Sequence, residues 1–460
     1  MVESLPGCLF FVTPVHSWMF CPSWAGLMQT RFTKSQLANP DNQMAEAILR
    51  KCVHCGMCTA FCPTYVNLGD ELDSPRGRIY LIKDLLEEDR AVHQSFVTHI
   101  DRCLSCLSCM SACPAGVDYR RLVDLARIRI RREWKRPLAD RLQRKLVGQI
   151  LSNPATFRLA LIGAKLIRPF RNLLPKWIRH QIDYAPTELA PPSRSDQPHI
   201  MPAQGVKRAR IALLAGCVQP VLAPDINRAA RDLLAKMGCE IVIAKGVGCC
   251  GALAHHAGDL EQARTQARKV IDGWMREIEG DGLDAIVMTA SGCGSVIGDY
   301  AHLFKDDPEW HARAEIIEAK MIDFSAFLDR WPHDWPPAVA NKSDGLAVAL
   351  HVPCSLQHGQ GLADTPKRLL DRHGFKVLIP DDAHLCCGSA GTYSLFQPEL
   401  SGKLRADKLD QLTRLQPDLV ATANIGCLHQ LNAADAPPIV HLAELLAWRY
   451  LDHQPDRFPQ

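Results

Sequence analysis

The stretch KCVHCGMCTAFCPTY sets Cys52, Cys55, Cys58 and Cys62 in the spacing C-x2-C-x2-C-x3-C-P. RCLSCLSCMSACPAG repeats it with Cys103, Cys106, Cys109 and Cys113. Two-residue gaps let three thiolates wrap one face of a 4Fe–4S cube, and the following proline turns the fourth away. Where two such runs occur together, the fourth cysteine of each ligates the other cluster. Cluster 1 is therefore expected on Cys52, Cys55, Cys58 and Cys113, and cluster 2 on Cys103, Cys106, Cys109 and Cys62. Structural zinc would use paired C-x2-C knuckles rather than two quartets each closed by proline. No C-x2-C is followed by histidine, so c-type haem attachment is excluded.

A second constellation follows. LAGCVQP, GCCGALA and ASGCGSV carry Cys217, Cys249, Cys250 and Cys293, and VPCSLQH, LCCGSAG and NIGCLHQ carry Cys354, Cys386, Cys387 and Cys427. The first three recur after 137 residues (354 minus 217, 386 minus 249, 387 minus 250) and the last after 134 (427 minus 293). Buried structural cysteine does not explain a repeated Cys-Cys-Gly triplet, so these eight read as a metal or redox site. Whether the two copies hold a further cluster, share one, or act as thiols stays open. Cys8, Cys21 and Cys239 carry no functional assignment.

The elements that must position these cysteines can be read next. SPRGRIYLIKDLLEE predicts a helix, with Ser74 as N-cap, Pro75 in the first turn, and Ile79, Ile82, Leu85 and Leu86 on one face. Arg76 and Arg78 on it either donate to cluster sulfurs or are ordinary surface charges. From residue 208, the apolar runs RIALLAG, EIVIA, DAIVMTA, LAVALHV, FKVLIP and DLVATAN read as buried strands between helical segments, which indicates parallel α/β units. Several cysteines fall just beyond a strand's carboxyl end, where open α/β sheets bind ligands. The expected fold is α+β and multidomain: a mainly helical two-cluster domain followed by two tandem α/β cysteine-rich modules. The boundaries are read as an irregular N-terminal extension 1–42 (with Met28 as a candidate start), the cluster domain 43–120, a basic helical segment 121–182, a linker 183–207, and modules 208–340 and 341–460.

Two cube motifs followed by two Cys-Cys-Gly modules resemble the iron–sulfur subunit of bacterial glycolate oxidase (glycolate dehydrogenase). The likeness runs from about residue 28 to the C-terminus and is specific in CVHCGMCTAFCPTY, GDELDSPRGRIYLIK, DRCLSCLSC, CCGA, TASGCG, LCCGSAGTY and TANIGC. It implies a heteromeric oxidoreductase in which a partner subunit carries FAD and oxidises glycolate to glyoxylate. This chain would carry two 4Fe–4S clusters, hold no catalytic residue of its own, and pass electrons to a quinone or another acceptor. Related architectures occur in lactate-oxidising and glycerol-3-phosphate dehydrogenase complexes and in heterodisulfide reductases, whose thiol chemistry is the alternative reading. In heterodisulfide reductases the last motif is C-x2-C; here Val296 and Gln430 stand at those positions. The chain has no G-x-G-x-x-G in a strand–turn–helix setting, which argues against a resident dinucleotide.

Composition agrees with a soluble chain in a reducing compartment. Nineteen cysteines in 460 residues, odd in number and clustered, do not form a small secreted disulfide framework. The net charge of +3 is too small for nucleic-acid binding. It conceals residues 120–180, with 17 Lys/Arg against three acids, so that the remainder sums to −11 (3 minus 14). Such a segment fits peripheral contact with an anionic membrane, with Trp134, Phe170 and Trp177 at the interface, or docking of an acidic partner. The expected location is the cytoplasm or the cytoplasmic face of the inner membrane.

Overall fold

The computed structural model describes residues 9–12, 17–20, 28–340, 343–432 and 436–458. Cys8 and Cys21 lie outside them. Within the extension read as irregular, β1 (Leu9–Val12) and β2 (Ser17–Phe20) pair antiparallel.

The cluster region is helical: α1 (Pro40–Leu49), α2 (Pro63–Leu68), α3 (Pro75–Glu87), α4 (Gln94–Asp101) and α5 (Ser108–Ser111). Ser74 caps α3, its hydroxyl accepting from the Gly77 amide, and Pro75 fills the first turn. Ile79, Ile82, Leu85 and Leu86 are buried. They join Leu49, Phe96, Ile100, Leu122 and Val123 in one core. Burial of each such side chain is worth about 1.5–3 kcal/mol. The basic segment supplies four further helices, α6 (Tyr119–Glu133), α7 (Leu138–Leu151), α8 (Pro154–Ile167) and α9 (Lys176–Tyr184).

The second half contains two parallel sheets. The first uses β4 (Ala209–Leu213), β5 (Cys239–Ile243), β6 (Ala285–Met288) and β7 (Met321–Asp323) in the order β5-β4-β6-β7. The second uses β8 (Ala347–His351), β9 (Lys376–Leu378), β10 (Leu419–Thr422) and β11 (Ile439–His441) in the matching order β9-β8-β10-β11. The cysteine repeat is thus a repeat of topology. One difference concerns the stretch read as an exposed linker. Its residues β3 (His199–Met201) pair antiparallel with β5, extending the first sheet by an edge strand.

The two sheets face each other through their cysteine-bearing loops. The Ser291 amide donates to the Ala423 carbonyl (3.3 Å). The hydroxyls of Ser291 and Ser355 lie 2.8 Å apart. His441 Nε2 lies 2.8 Å from the Thr289 carbonyl oxygen. The apolar side chains of both sheets merge into one core.

Candidate metal centres

Cys52 follows the end of α1, its amide donating to the Leu49 carbonyl (3.0 Å). Cys113 follows α5, 61 residues later (113 minus 52). The fold nevertheless brings Cys52, Cys55, Cys58 and Cys113 around one small cavity, which Cys109 also lines. Burial pushes the Cys52 thiol up, and the neighbouring Cys113 and Cys55 charges add to the effect. Burial and then Cys52, Cys113 and Cys55 push Cys58 up to about 11. Thiols that resist ionising together share a site that a cation would relieve. Cys55 is exposed and Met57 is 54% exposed, so this set faces solvent.

Cys62 occupies the N-cap position of α2 and is buried with Cys103, Cys106 and Cys109. Cys109 is driven up by burial, then by Cys106, Cys103 and Cys62. Cys103 differs. Burial raises it, but the guanidinium groups of Arg78 and Arg127 outweigh burial and hold it below the ordinary thiol range. The Tyr119 hydroxyl donates to Cys103 Sγ at 3.6 Å and the Ser105 amide at 3.5 Å. The two quartets are adjacent, because the Cys58 charge reaches Cys109.

The two arginines on α3 face different quartets: Arg76 lines the first quartet's cavity, where its charge lowers Cys52, and Arg78 reaches Cys62. Arg78 is 1% exposed and its Nη1 donates to Cys62 Sγ at 3.8 Å. It is braced by Asp73 at 3.2 Å and by the His99 carbonyl at 2.7 Å. Arg76 instead pairs with Glu71 at 2.8 Å and donates to the His54 carbonyl at 3.3 Å. His54 is exposed in the loop between Cys52 and Cys55.

In the first module, Cys217, Cys249, Cys250 and Cys293 form a chain of neighbouring thiols that perturb one another's ionisation. Cys217 and Cys250 hold Cys249 low, while they themselves are pushed up. In the second, Cys354, Cys386, Cys387 and Cys427 repeat the chain, with Cys354 and Cys386 sulfurs 3.8 Å apart. The glycine after each pair has a steric reason. Gly251 and Gly388 both have φ of +86°, and a Cβ would meet the Ala263 carbonyl oxygen at 2.9 Å or that of Ser401 at 2.7 Å. Only glycine adopts that conformation so close to backbone. All seventeen cysteines among the described residues are unpaired. Cys239 is wholly buried on β5, away from both quartets.

Both module quartets line a single cavity of about 620 Å³, together with Cys103 of the cluster region. The apolar inner faces of α7, α8 and α9 cover it through Val147, Phe157, Leu161, Ile178 and Ile182. Cys106 lies against Cys354 and Cys386, so the cluster region abuts the second module. Leu104, Cys106, Cys386, Tyr393, Leu400 and Leu404 pack together there. The positions of the missing fifth cysteines are filled: Val296 packs in the core, and Gln430 donates to Ser401 and accepts from Tyr184. Sequence reading missed His351, which ends β8 inside an apolar run. Its imidazole and the sulfurs of Cys387 and Cys427 place ligand atoms within 4.8 Å of one another.

The segments that hold these cysteines match two known families. The 4Fe-4S dicluster domain family matches residues 48–117, and the cysteine-rich domain family matches 211–298 and 348–432. The glycolate oxidase iron-sulfur subunit of Escherichia coli (strain K12) is 39% identical over 419 residues, covering 91% of this chain and 98% of the relative. The chain belongs to the glycolate oxidase iron–sulfur subunit family. A probable glycolate oxidase iron-sulfur subunit of Bacillus subtilis (strain 168) is 31% identical, again over 91% of this chain and 98% of the relative. Lactate utilization protein A of Geobacillus kaustophilus (strain HTA426) is 25% identical over 52% of this chain and 98% of the relative. Members of this family are iron–sulfur proteins, and the buried thiols that oppose one another's ionisation are suited to such a group.

Proposed function

We propose that this chain is the electron-transfer subunit of a flavin-dependent glycolate dehydrogenase. A partner subunit carrying FAD oxidises glycolate to glyoxylate, and this chain conducts the electrons to a quinone or another acceptor. Cys52, Cys55, Cys58 and Cys113 would hold one 4Fe–4S cluster, and Cys103, Cys106, Cys109 and Cys62 a second. The Cys-Cys-Gly quartets would hold a further redox site. Bound clusters supply one-electron acceptance and donation at potentials set by burial, charge and hydrogen bonds to sulfur.

The succession of cysteine sets carries this reading. Cys58 neighbours Cys109, and Cys106 neighbours Cys354 and Cys386. The solvent-facing quartet near Cys55 and Met57 is the natural docking side for the flavin subunit. The covered cavity is the natural exit. Glycolate is favoured over lactate because the glycolate relatives are 39% and 31% identical across 91% of the chain, whereas the shorter lactate relative is 25% identical across 52% of it. The test is glycolate oxidation by the assembled complex with and without this chain. Undiminished quinone reduction without it, or stronger turnover of lactate than of glycolate, would overturn the reading.

Membrane contact at the exit side is part of the proposal. α8 is apolar on both sides: Phe157 and Leu161 line the cavity, while Leu159, Ile162 and Leu166 point outward, 68%, 44% and 72% exposed. Phe170 and Trp177 are exposed as well. Trp134 packs against the helical core instead, which removes it from the expected interface. Part of the basic charge is also committed internally. Arg121 pairs with Asp299, Arg131 with Asp259, and Arg136 and Arg144 with Asp101. Arg141, Lys145, Lys165 and Lys176 are exposed on the outer helices, with no ion pair among the described residues. Exposed apolar side chains flanked by free cations suit an anionic bilayer surface. No helix among the described residues is long and apolar enough to cross a membrane.

A further inference from the structure

The two cysteine modules share topology but not donors. Three residues before Cys354, at the carboxyl end of β8, stands His351; three residues before Cys217 stands Leu214. His351 is 2% exposed, and its Nε2 is buried without a hydrogen-bond partner. A buried imidazole nitrogen left unpaired is costly unless something binds it. Its ring places a ligand atom within 4.8 Å of both the Cys387 and Cys427 sulfurs, and all three residues are buried. A cationic residue accompanies it. Lys408 is 1% exposed and feels the charges of Cys386 and Cys387, whereas 137 residues earlier stands apolar Ile271.

We propose that His351 is a ligand of the redox centre in the second module, so that this centre is held by imidazole nitrogen as well as thiolate sulfur while the first is held by thiolates alone. This rests on the reading that the modules bind a metal cluster. Where neutral imidazole takes the coordination position of one thiolate, the ligand set carries less negative charge and the reduction potential rises. Lys408 acts in the same direction. The second module, which abuts Cys106, then becomes the lower-energy resting place for an electron leaving the cluster region. The repeated fold would carry two unequal sites, not two copies of one.

The test uses the full chain, reconstituted anaerobically with iron and sulfide and reduced stepwise. Low-temperature pulsed electron paramagnetic resonance is recorded on protein made with 14N-histidine and with 15N-histidine. The expected result is a centre, beyond the two cubes, with a strong nitrogen coupling that changes with the isotope. His351→Leu, which installs the first module's residue, abolishes that coupling and lowers that centre's potential while the cube signals persist. His351→Cys retains the centre without the nitrogen coupling. A loaded module centre lacking histidine coupling in the wild-type protein overturns the proposal without touching the parent reading, as does coupling that survives in His351→Leu. Iron that stops at about eight per chain, the content of two cubes, with no further signal, overturns the parent reading and the proposal with it.

Discussion

Arg78 gives the sharpest test of how the fold tunes its centres. Its guanidinium is 1% exposed, and its Nη1 lies 3.8 Å from Cys62 Sγ. Reduction adds negative charge to the proposed second cluster, and Arg78 stabilises that state. Taking the added electron as delocalised about 6 Å away, a unit charge at an effective dielectric of about 20 is worth roughly 2.8 kcal/mol. That is roughly 120 mV for one electron, since about 59 mV is a tenfold change. Arg78→Gln removes the charge and keeps a side chain able to hydrogen-bond. Asp73 loses one partner but retains Arg102 at 2.7 Å and His99 at 3.0 Å. Breaking the buried pair then costs about 3 kcal/mol, the lower end for such losses. The assay is a potentiometric titration followed by low-temperature electron paramagnetic resonance, with thermal unfolding as a control. The cluster near Cys62 should become harder to reduce by roughly 100 mV, and the solvent-facing cluster should change much less. A shift below about 20 mV in a folded, fully loaded variant would refute the assignment of Arg78 to that cluster's electrostatics.

Cys62→Ser should damage the cluster with Cys103, Cys106 and Cys109 and spare the one with Cys52, Cys55 and Cys58; spectra showing the reverse would break the crossed ligand assignment. Asp124 on α6 meets His255 of the first module at 3.2 Å. Burial raises Asp124, but His255 outweighs it and holds the carboxyl at about 2, while His255, lowered by burial, is raised overall by Asp124. The Asp124 contribution is complete above its unfolded pKa near 4 and fades as pH falls through about 2; the His255 contribution is complete below about 6.5 and fades as pH rises through its raised value. Asp124→Asn should therefore cost about 2 kcal/mol near pH 6 and less at pH 9, and equal losses by denaturant unfolding at both would contradict the pair. Charge reversal of Lys145, Lys165 and Lys176 should weaken binding to anionic vesicles about a hundredfold, at roughly 1 kcal/mol per cation. Unchanged binding would remove the membrane contact.

Ligand spacing is local, which is why sixteen cysteines announce themselves in the sequence. A two-residue gap or a Cys-Cys-Gly triplet is readable without knowing the fold. The six longer apolar runs likewise reappear as β4, β5, β6, β8, β9 and β10. β3, β7 and β11 are as short as β9 but lie outside the apolar runs read as strands, and β3 was hidden in the stretch read as linker. Roles that depend on the rotation of an element were not legible. Arg76 and Arg78 are two residues apart on one helix, yet one reaches a sulfur and the other a surface carboxylate. Trp134 looked like its neighbours in a basic stretch but turns inward. His351 was invisible because a histidine at the end of an apolar strand is ordinarily a satisfied core residue. Only its unpaired nitrogen beside Cys387 and Cys427 marks it.

The most direct test of the central claim is rapid-freeze electron paramagnetic resonance on this chain assembled with the proposed flavin-carrying subunit and mixed with glycolate. The account predicts reduced 4Fe–4S signals appearing within one turnover, dependent on the cysteines of both ferredoxin-type quartets. Flavin that is reduced by glycolate while every cluster on this chain stays oxidised would contradict it.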